Sequence, residues 1–402
     1  MPSAAERLRI LTVTHNYPRF VGDPAGAFVA RIAEGVAARG HEVEILAPHA
    51  PGVPVEEQVQ GVAVRRFRYA PESLEHIAYT GGLHQTRLSS PAVALGLPGF
   101  LLAFGLGLRG AIRRFQPDLI HAHWWIPAGW FARWTGTPYL VTCHGSDVRL
   151  LERGAFFRRQ ARQVLDRAGG VTTVSNFLAG DLRRLLPALH VVPVVAPMPV
   201  DVDSFQSGAV VPKAEPPRIL YAGNLVQSKG VDILLRAAAT LMQKGLDFQL
   251  KILGEGPEQA SLHRLAADLK LNERLTWSNF VSQARMPAEY GASTITILPS
   301  RGQAEGLGLT LVEALLAGSA AVGTRTGGIP EVVRHEETGL LAREGDAQDL
   351  ARQIARLLGD RELRDRLTRG GKEHVLQTYS PVTAVQRFIA IYHAVADHHT
   401  HH

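Results

Sequence analysis

Two glutamates eight positions apart, Glu305 and Glu313, bracket the run Gly306-Leu307-Gly308-Leu309. The β-branched run Thr294–Pro299 before them reads as a buried strand. After them Leu309, Val312, Leu315 and Leu316 recur at helical spacing, and Gly318 stands where a helix stops. Strand, glycine loop, helix is the arrangement by which open α/β sheets bind ligands at the carboxyl ends of strands. Amides at the helix start favour an anion, and glycines let the backbone come close to it. Glu305 belongs to the loop. Glu313 lies in the first turns of the helix, and helical side chains lean back toward the N-terminus, so its carboxylate leans toward the ligand. The bland alternative is an amphipathic helix carrying two surface acids.

Other residues with chemical potential sit at similar places. Lys229 closes the strand-to-helix loop Gly223-Asn224-Leu225-Val226-Gln227-Ser228-Lys229-Gly230. His144 follows the strand Tyr139–Cys143 and opens His-Gly-Ser-Asp, where strand ends gather functional groups; Asp147 reads as a helix N-cap. His121 and His123 alternate on one strand and so share a face. Without a third ligand they read as packing or groove residues rather than a zinc site. Four of the five tryptophans, Trp124, Trp125, Trp130 and Trp134, cluster just after them. Core packing is their default role, and stacking of Trp124 and Trp125 on an acceptor is the functional one. Cys143 has no catalytic partner nearby in sequence and reads as a buried structural thiol.

The elements that must position these residues form two β-α-β series, an α/β fold class. In the first, Leu8–Thr14 reads as a strand, Gly22 and Gly26 lie in the following loop, and Gly26 stands at a helix start. There is no G-x-G-x-x-G, so this is not a dinucleotide fingerprint. The second series starts at Arg218–Gly223 and continues through Gln249–Gly254, Leu275–Trp277, the Thr294 strand and Ala320–Gly323. Between them Pro193, Pro197, Pro199, Pro212, Pro216 and Pro217 have the composition of a linker. The predicted division is residues 1–195, a linker at 196–217, and residues 218–380. Thr326–Glu331 reads as a helix start explained by structure alone.

The chain has 402 residues, 46% hydrophobic and 20% charged, which suits a soluble globular protein with more than one core. Its single cysteine allows no internal disulfide and points to a reducing, cytoplasmic compartment, and no signal peptide opens the chain. The net charge of +6 is uneven: residues 1–200 hold 21 Arg, no Lys and 14 acids, while residues 201–402 hold 22 basic and 23 acidic residues. No basic block or nucleic-acid motif accompanies this charge, so nucleic acid is not expected as a partner. An anionic membrane surface or acceptor beside the first half fits better. The 21 uncharged residues Leu88–Leu108 are long enough to span a bilayer, but Pro91, Pro98 and four glycines argue for a core or groove-edge helix with shallow membrane contact. The tail at 397–402 is set aside as a metal-binding or cloning-derived run.

The E-x7-E pattern with its glycine run resembles the retaining GT-B glycosyltransferases of family 4. The His-Gly-Ser-Asp run, the Lys229 loop and Pro197–Phe205 match motifs of the same family, so the resemblance covers roughly residues 8–395. It implies two doubly wound Rossmann-like domains facing a central cleft, with a terminal helix at 381–396 packing back on the first domain. It implies that Glu305 contacts donor-sugar hydroxyls, that Glu313 binds ribose hydroxyls, and that His144 lies beside the reacting sugar. Lys229 matches the family's pyrophosphate lysine; Asn224 stands where an Arg is common, and Asn brings no charge. Gly26 matches the glycine facing the donor phosphates, while Gly254 and the Phe280-Val281-Ser282 run match loops near the nucleotide. Gly306, Leu307, Gly308 and Leu309 complete the donor set.

The expected activity is transfer of a hexose from a nucleotide-diphosphate sugar, with a UDP-sugar favoured although side chains near the base do not distinguish uracil from guanine. The expected acceptor is a lipid-linked or cell-envelope glycan, reached from the cytoplasmic face of a membrane. No metal is expected, because no Asp-x-Asp run ends a strand. A nucleotide-sugar epimerase on the same fold and a non-catalytic nucleotide-sugar-binding module are the competing readings.

Overall fold

The computed structural model describes residues 7–23, 25–75, 77–79, 91–279, 281–302 and 305–400. Phe280, Ala304, Leu88 and the last two histidines of the tail lie outside the described residues. The chain divides into two compact units, one made of Met1–Pro199 with Pro381–His402 and the other of Val200–Ser380.

The first unit is built on β1 (Arg9–Val13), β2 (Glu42–Pro48), β3 (Glu56–Val59), β4 (Val62–Phe67), β5 (Leu119–His123), β6 (Tyr139–Cys143), β7 (Gly170–Thr173) and β8 (Val194–Val195). They form one sheet in the order β3-β4-β2-β1-β5-β6-β7-β8. Every pairing is parallel except the β3–β4 hairpin. Gln60 and Gly61 turn that hairpin with φ of 50° and 81°, the left-handed pair a tight hairpin needs. The inner strands are buried along their whole length, as parallel strands covered by helices on both faces must be.

Helix Pro91–Phe115 covers one face of this sheet. Phe100, Phe104, Leu108 and Ala111 recur at helical spacing and are buried, with Phe100 and Phe104 set against Phe67 of β4 at 5.7 and 5.1 Å. Leu102 and Leu106 lie on the other face, 65% and 62% exposed. Helix Pro381–Thr400 returns to this unit and buries Val385, Phe388, Tyr392 and Val395. Its close approach requires glycine: a Cβ on Gly35 would stand 2.4 Å from Val385 Cγ2, and one on Gly169 would stand 2.9 Å from Val395 Cγ1.

The second unit holds β9 (Arg218–Ala222), β10 (Gln249–Leu253), β11 (Leu275–Ser278), β12 (Ile295–Leu298), β13 (Ala320–Thr324) and β14 (Leu340–Ala342). The order is β11-β10-β9-β12-β13-β14, all parallel. The chain therefore winds outward from β9 in one direction and from β12 in the other, so the order reverses between these two strands. Loops leaving their carboxyl ends diverge and open the crevice in which doubly wound sheets bind ligands. The same reversal lies between β1 and β5 in the first unit. Within the segment read as a linker, Val202–Gln206 is a helix capped by Asp201; it belongs to the second unit and packs there through buried Phe205, 5.9 Å from Tyr290.

Candidate active site

In the second unit the two loops flanking the reversal meet. Gly230 ends the loop after β9 with φ 65°, and a Cβ there would fall 2.1 Å from the Pro299 carbonyl oxygen just beyond β12. Only glycine allows this approach. It brings Lys229 and Glu305, 76 residues apart in sequence, together with Nζ 2.5 Å from Oε2. Ser300 Oγ donates to the same Glu305 oxygen at 3.3 Å, and Thr324 Oγ1 holds the Ser300 carbonyl at 2.5 Å. Both members of the pair are largely shielded, with side chains 23% and 14% exposed.

The Glu305 backbone is held from the far side. Gly328 N donates to the Glu305 carbonyl at 2.9 Å, and Cβ atoms on Gly327 and Gly328 would lie 2.1 and 2.3 Å from the carbonyl oxygens of Glu305 and Gly306. The Thr326–Glu331 run, which reads as scaffold in sequence, therefore seats the Glu305 loop. Leu307 is buried, and Gly308 turns the chain with φ 91° into helix Leu309–Leu316, whose first amides have no intrahelical acceptor.

Glu313 is the fifth residue of that helix, and its Oε2 accepts from Tyr290 Oη at 3.1 Å. Burial, reinforced by the Glu313 charge, pushes the Tyr290 phenol well above its ordinary pKa, so it remains a donor and fixes the carboxylate. Asn224 is exposed, and its carbonyl accepts from Tyr221 Oη at 2.8 Å. Gly254 presses on the same loop: with φ 145°, its Cβ would stand 1.9 Å from the Gly223 carbonyl oxygen. Val281 is half-buried beside the undescribed Phe280. Sequence reasoning missed Ser300, Tyr290 and the Gly327-Gly328 pair; the two adjacent glycines at a strand end were the available signal.

In the first unit, Gly26 begins helix Ala27–Ala37 with φ 66°, and a Cβ on it would meet the Asn16 carbonyl oxygen at 2.1 Å. Across the reversal, His144 Nε2 lies 3.0 Å from His123 Nδ1. The His144 ring also packs 4.3 Å from Trp124 and 5.0 Å from Phe28, and Trp124 packs 4.3 Å from His15. Trp124 has φ 69°, a strained position for a bulky side chain that turns its indole over His144. Burial, with the neighbouring His123 and His15, holds the His144 imidazole well below the usual histidine pKa. His123 is lowered in the same way, and burial takes His121 down to about 3. His144 is therefore a neutral hydrogen-bonding group at neutral pH. His121 is tied to Tyr392 Oη at 2.8 Å and Thr142 Oγ1 at 2.7 Å. Among the described residues no group of three or more His, Cys, Asp or Glu is placed to hold a metal ion.

Two sequence expectations need correction here. Trp125 is wholly buried, its Nε1 bonded to the Asp147 carbonyl at 2.8 Å, and Trp124 is only 6% exposed, its Nε1 donating to Ser146 Oγ at 3.2 Å, so both pack the core and neither presents a face for stacking on an acceptor. Asp147 is not an N-cap: it lies inside helix Ser146–Arg149, and its carboxylate accepts from the amides of His144 and Gly145 at 3.0 Å and of Trp125 at 3.2 Å. It thereby orients the His144 strand end. Lys229, matched in sequence to the pyrophosphate lysine, is hydrogen-bonded to Glu305 in this structure.

The family model for glycosyl transferases group 1 matches residues 204–374, and that for the glycosyl transferase 4-like domain matches residues 25–195. D-inositol 3-phosphate glycosyltransferase 2 of Catenulispora acidiphila is 31% identical, covering 89% of this chain and 88% of its own. The sucrose-phosphate synthase structure from Thermosynechococcus elongatus superposes with a TM-score of 0.76 at 22% identity, covering 96% of this chain and 98% of that one. HepE of Anabaena, solved in complex with UDP-glucose, superposes with a TM-score of 0.66 at 19% identity, covering 96% and 98%.

Proposed function

The chain belongs to the group 1 glycosyltransferases of family 4 and has their GT-B fold, and from that premise we propose that it transfers a hexose from a UDP-sugar to an acceptor hydroxyl with retention of configuration. The observation that carries this reading is the Lys229–Glu305 pair at the strand reversal, followed by the Gly308 helix start and Glu313. The bond from the anomeric carbon to the β-phosphate oxygen breaks, and its electrons leave with the nucleoside diphosphate. Lys229 and the helix-start amides face that growing negative charge. Glu305 faces the sugar, where positive charge develops. The acceptor oxygen bonds the same face of the anomeric carbon and passes its proton to the departing phosphate oxygen. Lys229 and the amides do the work a divalent ion does elsewhere, so the reaction is metal-independent. In the first unit His144 serves the acceptor side, its ring positioned by the buried Trp124 indole. HepE's complex with UDP-glucose supports the uridine donor, and the inositol phosphate in the relative's name supports a polyol acceptor alongside the glycan reading.

Thermal denaturation in EDTA with UDP-, GDP- and ADP-glucose in turn tests the donor. UDP-glucose is expected to raise the Tm most, because a ligand bound only by the folded state stabilises it. Transfer in the same buffer, read by the anomeric proton coupling of the product, is expected to show an α-linked product. Loss of activity in EDTA that magnesium restores would refute metal independence. Epimerised donor without any acceptor would make the chain an epimerase.

A membrane-facing surface on the first unit is part of this reading. Helix Pro91–Phe115 and the Phe131–Thr135 segment line a groove of about 560 Å³, with Leu102, Leu106 and Trp134 exposed and Arg109 and Arg113 at its edge. Arg133 and Arg167 lie over the Trp134 ring at 4.7 and 5.8 Å. Among the described residues no helix is long and apolar enough to cross a membrane, so contact would be shallow. The protein is expected to sediment with anionic vesicles at low salt and to release as salt screens the arginines. Leu102→Asp combined with Leu106→Asp should abolish this. Absence of wild-type binding at low salt would remove the membrane and favour a soluble acceptor.

A further inference from the structure

At the opposite end of the second sheet lies a cavity the transfer reaction does not use. Helix Arg361–Tyr379 carries Arg361, Arg364, Asp365, Thr368, Arg369 and Lys372, spaced so that all six share one face. That face lines a cavity of about 590 Å³, completed by Lys213, Glu215 and residues at the starts of strands: Pro217 just before β9, Thr294 just before β12 and Gly318 two residues before β13. The whole cavity belongs to the second unit, at the amino ends of strands whose carboxyl ends lead to Lys229 and Glu305. Strands of this length separate the two places by roughly 15 Å.

Five cations face two carboxylates here. Arg361 is paired with Asp365 at 3.5 Å. Among the described residues, Lys213, Arg364, Arg369 and Lys372 have no carboxylate within ion-pair distance. Elsewhere in this unit arginines find acids: Arg274 with Asp247, Arg301 with Asp232, Arg343 with Asp346 and Arg356 with Glu336. Lys213 is also fixed in place, its Nζ donating to the carbonyls of Ser293 at 2.8 Å and Gly318 at 2.6 Å. Burial first, and then the nearby Arg364, lower its pKa to about 8, while Asp365 opposes the shift. Arg364 is braced by its bond to the Leu357 carbonyl at 2.7 Å. A concave site of this volume suits a small molecule. Guanidinium forks beside a fixed ammonium suit phosphate oxygens.

We propose that this cavity is a second anion site, distinct from the donor site, which binds a small phosphate-bearing molecule between Lys213 and the Arg364, Arg369 and Lys372 stripe. The assignment does not depend on the transfer reaction.

Inorganic pyrophosphate is the probe, titrated calorimetrically into the full-length protein at constant ionic strength. Lys229→Ala, which disables the donor diphosphate site, is expected to retain one saturable site per chain. Adding Arg364→Ala, Arg369→Ala and Lys372→Ala should weaken that site at least tenfold. The milder pair Arg369→Ala and Lys372→Ala, which keeps the Arg364 brace and the fold, should weaken it severalfold. An unaltered melting curve without ligand establishes that the variants are folded. Absence of saturable binding in Lys229→Ala, or equal affinity after the stripe is removed, overturns the proposal and leaves a solvated basic helix face.

Discussion

Glu305→Gln is expected to lower turnover by about 10²–10³-fold, the usual cost of removing one preorganised electrostatic group, while affinity for the nucleoside diphosphate changes only severalfold. The substitution keeps size and an acceptor but removes the charge that faces the reacting sugar. It also releases Lys229, whose 2.5 Å contact with Glu305 holds the ammonium in the strand reversal. Glu313→Gln is expected to behave in the opposite way. Glu313 sits inside the helix, held by Tyr290, and on the proposed reading it binds ribose, whose contacts differ little between ground and transition states. Its loss should therefore raise KM and weaken nucleotide binding with turnover near normal. Lys229→Ala should reduce both quantities, since it removes a charge from the leaving group and leaves Glu305 shielded without its cation. Steady-state kinetics on the three variants, with diphosphate affinity measured separately, checks this. A turnover loss confined to Glu313→Gln would reverse the assignment of roles.

The first unit is expected to lose stability as pH falls below about 6.5. In the folded state burial holds His121 at about 3 and His123 well below the ordinary histidine value. The unfolded chain protonates both near pH 6.5. The unfolded state then binds more protons, and stability falls with pH below 6.5, at about 1.4 kcal/mol per unit for each group. His144, held low by burial in the same unit, acts in the same direction. Asp147, whose burial raises its pKa, acts with the opposite sign. Urea unfolding followed by tryptophan fluorescence reads this unit, which holds Trp124, Trp125, Trp130 and Trp134 of the five tryptophans. The free-energy difference between pH 7.5 and 5.5 should shrink by about 1.4 kcal/mol in His121→Gln, whatever that substitution costs at pH 7.5. An unchanged difference would mean that His121 is charged in the folded protein.

Much of this protein was determined locally. The β-branched and aliphatic runs at Arg9–Val13, Tyr139–Cys143 and Ile295–Leu298 are strands because residues buried on both faces must be apolar at consecutive positions. Gly26 and Gly308 mark left-handed helix entries that other residues rarely adopt. The Glu305–Glu313 spacing puts one acid in a loop and one in a helix, so both acids, the helix and their family were legible without coordinates. What the sequence could not settle are the relations that depend on strand order and on packing direction. Lys229 meets Glu305 only because β9 pairs with β12 instead of ending the sheet. His121 meets Tyr392 across 271 residues only because the last helix returns to the first unit. Trp124 and Trp125 are adjacent, chemically identical and both buried, yet the left-handed backbone at Trp124 sets one indole against His144 while its neighbour bonds the Asp147 carbonyl. Hydrophobic periodicity reports which side of an element is buried, and it carries no information about which distant element does the burying; that is decided by sheet order and by the close contacts that glycines such as Gly35, Gly230 and Gly328 permit.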